Sequence, residues 1–184
     1  MLKKILLGLA AIIAAFLAIV AVQPANFRIT RAVTITAPPE TVFAQVNDFH
    51  KWEAWSPWAK IDPAMKTTYS GSATGAGSVY TWIGNNDVGE GKMAITASHP
   101  SEHIAIDLEF IKPFAAKNVT ELVFKPDGDK TNVTWSMTGK NNFMMKGFGL
   151  LMNMDKLVGD DFEKGLAQMK TVVESAPKAI TEAK

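Results

Sequence analysis

Three tryptophans spaced by three, Trp52, Trp55 and Trp58, stand in His50-Lys51-Trp52-Glu53-Ala54-Trp55-Ser56-Pro57-Trp58. An indole offers a broad apolar face and one N–H that needs an acceptor when buried. Such a group can wall an apolar pocket, or it can pack short helices onto a sheet. Trp82 and Trp135 lie in separate strand-like segments. Trp135 is in phase with Val133 and Met137, so it should turn inward. Met93, Ile95, Ile104, Ile106, Leu108, Phe110, Leu122 and Phe124 extend the same inward apolar surface. Phe143, Leu151 and Met154 open a helical segment that faces it. Six of the nine methionines fall at or after Met137, and their flexible thioethers suit irregular apolar contacts. The candidate ligand-contacting residues are therefore Trp55, Trp58, Trp82, Phe110, Trp135, Phe143, Leu151 and Met154.

Reactive constellations are scarce. The chain has no cysteine, which excludes disulfides, thiolate metal sites and a cysteine nucleophile. Of the three histidines, His99 and His103 are four apart, but Pro100 breaks the helix that would align them on a metal. His50 neighbours the tryptophans and could hydrogen-bond a polar ligand head, or simply end a short helix. No serine sits in a Gly-x-Ser-x-Gly elbow. The glycine-rich stretch 71–77 lacks the lysine and hydroxyl residue of a phosphate loop. Glu90, between Gly89 and Gly91, or a similar buried carboxylate, is the candidate for general acid/base work. Beside two glycines, strand parity does not fix where it points. No catalytic set, metal or cofactor is assigned.

The elements that must position these residues follow from pattern. The chain has 184 residues, 47% apolar and 20% charged, enough for one domain and an appendage. A formal charge of +1 argues against a nucleic-acid partner. Ile5–Val22 carries no charged or strongly polar side chain and follows Lys3 and Lys4. As a helix it spans roughly 27 Å, about a bilayer's hydrocarbon thickness. A cleaved signal peptide and an uncleaved anchor both fit. The anchor is favoured by a run longer than a signal core and by the lack of a small-x-small site before Gln23-Pro24. The expected location is the cytoplasmic membrane, single-pass, with the domain on the outer side.

Beyond the linker, Phe27, Ile29, Val33 and Ile35 alternate as a strand. Pro38-Pro39-Glu40 opens a short helix and Ser56-Pro57 a second. From Lys66 to Lys140 six strands are punctuated by hairpin turns. Phe143 to Val173 then repeats at threes and fours, which predicts one long amphipathic helix kinked at Gly159. The fold class is α+β, an antiparallel sheet with a helix on one face. The division is 1–23 anchor or signal peptide, 27–175 ligand-binding domain and 176–184 polar tail.

Ile35-Thr36-Ala37-Pro38-Pro39-Glu40-Thr41-Val42-Phe43, Trp55-Ser56-Pro57-Trp58, the strand run and the closing helix together resemble the START-like superfamily of polyketide cyclases/dehydrases and lipid-transport proteins (SRPBCC). Asn153-Met154-Asp155-Lys156 with Asp161-Phe162-Glu163-Lys164-Gly165-Leu166 looks like its bacterial membrane-attached branch. The resemblance implies a helix-grip fold, a curved antiparallel sheet wrapped around a long C-terminal helix. It also implies a cavity between the two for a hydrophobic small molecule. The expected function is membrane-tethered binding of a lipid- or polyketide-like compound. The alternatives are a cyclase- or dehydratase-like enzyme and a ligand-free interaction domain.

Overall fold

In the computed structural model residues 1–176 are described, and the polar tail expected from Pro177 lies outside them. Helix α1, Leu2–Val22, comes first and stands almost wholly exposed, with only Val20 buried. It is long and apolar enough to cross a membrane, a property that a signal sequence near an N-terminus shares.

Strand β1, Asn26–Ile35, leads into helix α2, Pro39–Val46. Proline at the first helical turn and Glu40 beside the helix's positive end start α2 there. It buries Val42, Phe43 and Val46. Two 3₁₀ turns follow, Phe49–Ala54 and Pro57–Lys60. Asp48 caps the first by accepting from the His50 N–H at 2.9 Å.

Strands β2 (Lys66–Gly71), β3 (Ser78–Ile83), β4 (Glu90–His99), β5 (His103–Lys112), β6 (Ala116–Asp127) and β7 (Lys130–Lys140) form consecutive antiparallel hairpins. Strand β1 pairs antiparallel with β7 and completes a seven-stranded curved sheet of order β1-β7-β6-β5-β4-β3-β2. The register sets Arg31 opposite Trp135, Trp135 opposite Leu122, and Leu122 opposite Ile104. Since side chains alternate across a sheet, these residues share one face.

The closing segment is two helices. Helix α3, Phe143–Leu151, ends at an extended Met152, and helix α4, Met154–Ser175, restarts from Asn153. Asn153 accepts from the Lys156 N–H at 3.0 Å, an N-cap that begins a new helix where the apolar periodicity alone predicts continuity. Helix α4 is unbroken at Gly159. That glycine serves the neighbouring strand, because a Cβ there would overlap the Arg31 guanidinium. Arg31 uses the notch to reach Asp155 at 3.1 Å and Glu163 at 2.7 Å.

Helix α4 runs alongside β1, with Lys170 bonded to the Thr34 carbonyl and Glu174 to the Thr36 N–H. Its buried stripe is Phe162, Leu166, Met169 and Val173. These residues join the sheet face in one core with α2 and the 3₁₀ turns.

Candidate functional site

The space between sheet and α4 is filled. Trp135 is 2% exposed and stacks on Phe162 with ring centroids 4.2 Å apart and planes 6° from parallel. Trp52, Trp55 and Trp58 meet the Trp135 ring edge-on at 5.7–6.2 Å. The Trp135 N–H is buried without a hydrogen-bond partner, and nothing in the structure explains it.

The enclosed volume lies beside this core, displaced from the place the sequence predicted. A cavity of about 590 Å³ opens between the two 3₁₀ turns and strands β2 and β3, bounded further by Met93 and Phe110. Alternation on paired strands builds its floor. Tyr69 faces Tyr80 across β2–β3, and Trp82 lies two residues on. The Tyr69 and Tyr80 rings are 5.4 Å apart, Tyr80 and Trp82 stack at 6.0 Å, and Phe110 meets Trp82 edge-on at 6.0 Å. Trp82 lies flat because its partner is Gly91, where any Cβ would collide with the indole. Phe49, Trp52 and Trp58 close the opposite wall.

The walls are held by the protein itself. Trp52 donates its indole N–H to the Val46 carbonyl at 3.0 Å, and Trp82 donates to the Val88 carbonyl at 3.0 Å. Asp62, buried at one end of the cavity, accepts from the N–H groups of Ala64 and Asn85 at 3.0 and 2.7 Å. This clip ties the segment before β2 to the β3–β4 turn. Asn85 in turn accepts from the N–H groups of Asp87 and Val88. The polar contribution comes from Glu53, Ser56, Lys60, Asp62, Thr67 and Asp87. Burial, reinforced by Tyr69 and Glu53, pushes the Tyr80 hydroxyl up to about 12. It therefore stays neutral at physiological pH, able to donate or accept. Chemically, the site offers aromatic faces for hydrocarbon and a few oxygens and one ammonium for a polar group.

Of the residues singled out from sequence, Trp58, Trp82 and Phe110 come together on this cavity. Trp55 and Trp135 are core, with the Trp55 N–H donated to the Gln45 carbonyl at 3.2 Å. Phe143 and Leu151 are exposed on α3, 52% and 76%, and Met154 is half-buried at the start of α4. None of these last three is on the cavity wall. His50 stands behind it, stacked on Tyr69 at 4.0 Å and bonded through Nδ1 to Asp48 at 3.0 Å. Glu90 pairs with Lys112 at 2.6 Å, away from the cavity lining. His99 and His103 pair across the β4–β5 hairpin, but no group of three potential metal ligands occurs among the described residues.

Sequence reading missed Phe49, Tyr69, Tyr80 and Asp62. The period-two pair Tyr80 and Trp82 was the available signal for the floor. A second depression, about 800 Å³, is lined by residues 26–28, 107–109, 117–119 and 138–140, with five charged side chains among its twelve residues.

A curved antiparallel sheet closed on a C-terminal helix, with an aromatic cavity beside the contact, defines a helix-grip protein. Residues 26–174 match the family model for polyketide cyclase / dehydrase and lipid transport, and the chain belongs to that family. Solved structures agree on the fold. Protein CV1439 from Chromobacterium violaceum is 16% identical with a TM-score of 0.57, covering 82% of this chain and 99% of its own. Protein MLL2253 from Mesorhizobium loti is 13% identical with a TM-score of 0.60, covering 82% and 99%. The Aha1 dimer from Colwellia psychrerythraea is 14% identical with a TM-score of 0.58, covering 81% and 97%. At such identities the likeness is one of fold. No curated protein matches the chain in sequence.

Proposed function

We propose that residues 27–175 bind an apolar or amphipathic small molecule, lipid- or polyketide-like, while residues 1–23 tether them to the cytoplasmic membrane. The domain would sit on the outer side, with Lys3 and Lys4 inside. The observation that carries this reading is the cavity of about 590 Å³, walled by aromatic rings whose scaffold bonds hold them apart. That volume lies within the roughly 300–1,000 Å³ of small-molecule sites. Burying about 200 Å² of ligand hydrocarbon there contributes roughly 5 kcal/mol. Tyr80 on the floor and Ser56 and Lys60 on the facing turn line the same cavity to meet a polar head. The tether keeps the cavity where such molecules partition.

The test is native mass spectrometry of the full chain purified from membranes in mild detergent, with lipid extraction alongside. A bound small mass, or uptake of dansyl-labelled undecanoic acid that competes with it, is expected. A protein that is empty as purified and takes up none of the probe overturns the proposal.

A further inference from the structure

Helix α3 is apolar yet buries none of its side chains. Phe143, Met144, Phe148 and Leu151 are all at least 40% exposed, and Met152 just beyond them is 49% exposed. A soluble domain seldom leaves such a contiguous patch to water without a use for it. Three observations say what covers it. First, α3 packs on the C-terminal end of α1. A Cβ at Gly147 would stand 3.9 Å from Val20, the one buried residue of α1. Second, Lys146, the only charged residue of α3, aims its ammonium at the Ala21 carbonyl at 3.4 Å, at the negative end of α1. Third, a distant part of the chain joins the same patch. Phe114, 49% exposed in the turn between β5 and β6, lies 6.2 Å from the Phe148 ring.

A helix that leaves a bilayer places its last turn in the headgroup region. Whatever flanks that turn is at the same depth. We propose that α3 and the β5–β6 turn form a membrane seat, their apolar side chains dipping into the boundary between headgroups and acyl chains beside the exit of α1. The inference rests on α1 staying in the bilayer as the tether. The occupant is lipid because the patch is continuous with α1, the one helix among the described residues long and apolar enough to cross a membrane. The seat also orients the cavity. Phe110 on the cavity wall is four residues from Phe114, so their backbones are no more than about 14 Å apart.

The natural absence of cysteine makes the test direct. Full-length Leu151→Cys, Phe114→Cys and Asp129→Cys proteins, labelled with bimane, are reconstituted into vesicles of phosphatidylethanolamine and phosphatidylglycerol. Asp129 lies in the β6–β7 turn, at the far end of the sheet from α1. Quenching by lipids with brominated acyl chains should be severalfold greater at 151 and 114 than at 129, and quenching by aqueous iodide severalfold smaller. Labels at 151 and 114 that iodide reaches as fully as at 129 overturn the seat. Labels shielded from iodide but not quenched by brominated lipid also overturn it, in favour of a second copy of the chain on this face. Alkaline carbonate extraction of the same vesicles separates the two readings. A retained chain with iodide-accessible labels removes the seat alone, whereas a released chain removes the tether as well.

Discussion

The sheet has one face and two kinds of cover. Over β1 and β7 lies α4, a 22-residue helix whose buried side chains Phe162, Leu166, Met169 and Val173 form one stripe. Over β2 and β3 lie only 3₁₀ turns of six and four residues. Both halves are rich in aromatic rings, yet one is solid and the other holds a cavity. In the first, Phe162 comes down flat on Trp135 at 4.2 Å. In the second, Tyr80 and Trp82 stack on each other at 6.0 Å, and the opposing rings belong to short 3₁₀ turns. Aromatic content therefore does not decide between core and pocket. The length and regularity of the covering element does.

The contrast is broken most directly at Trp135. Its ring touches Phe162 and three tryptophans and sees almost no solvent. Trp135→Ala should cost about 3–5 kcal/mol of unfolding free energy, read from urea denaturation. A loss under about 1 kcal/mol would mean that the half under α4 is as loosely filled as the other. The open half should respond oppositely. Thr67 is exposed on the edge strand, in register with Trp82, and its side chain borders the cavity. Thr67→Trp should weaken dansyl-undecanoate binding tenfold or more, about 1.4 kcal/mol, measured by fluorescence titration. Its urea stability should stay within about 1 kcal/mol of wild type, since the new ring enters existing space.

How legible this was in sequence differs between the halves for the same reason. Parity with Val133 and Met137 was enough to turn Trp135 inward, and the β3 bounds Ser78–Ile83 were readable from its β-branched and aromatic run. Parity does not say what meets a side chain on arrival. Whether Trp135 faces a guest or Phe162 depends on how closely α4 approaches. Arg31 anchors that approach by entering the notch at Gly159, and nothing local to Gly159 announces a distant guanidinium. A helical repeat also reads alike in one helix or two. The break at Met152 and Asn153 turned Phe143 and Leu151 away from the domain's interior and onto α1's flank. The clip from Asp62 to Asn85 that shapes the cavity end spans two loops with no regular pattern.

Acid should loosen the covered half. Glu174 near the end of α4 accepts from Lys170 at 2.7 Å and from the Thr36 N–H at 2.7 Å. The Lys170 bond first, and the Thr36 N–H second, lower its carboxyl from 4.5 to about 2. A carboxyl depressed by folding adds stability that is present above 4.5 and lost as pH falls towards 2. The urea midpoint should therefore drop across that window, and Glu174→Gln should flatten part of the drop. The effect is modest because the pair is partly exposed. An unchanged slope would mean that this end of α4 does not depend on its tie to β1.

Alkali should act on the open half, with the smallest effect. The Tyr80 hydroxyl is raised from 10.0 to about 12, chiefly by burial. Folding then favours the neutral phenol, so its contribution to stability is complete below 10 and lost as pH rises to about 12. The chain has two tyrosines, so Tyr69→Phe leaves Tyr80 as the only phenol to titrate. Its phenolate absorbance should rise with a midpoint well above 10, slightly under the wild-type value because the Tyr69 charge is gone. A midpoint near 10 would place the hydroxyl in open water and make the cavity a shallow groove. Dansyl-undecanoate should move the midpoint further up, because hydrocarbon seated over Tyr80 removes the water that would stabilise its anion. The same probe should leave the Glu174 window untouched, since α4 reaches no part of the cavity lining.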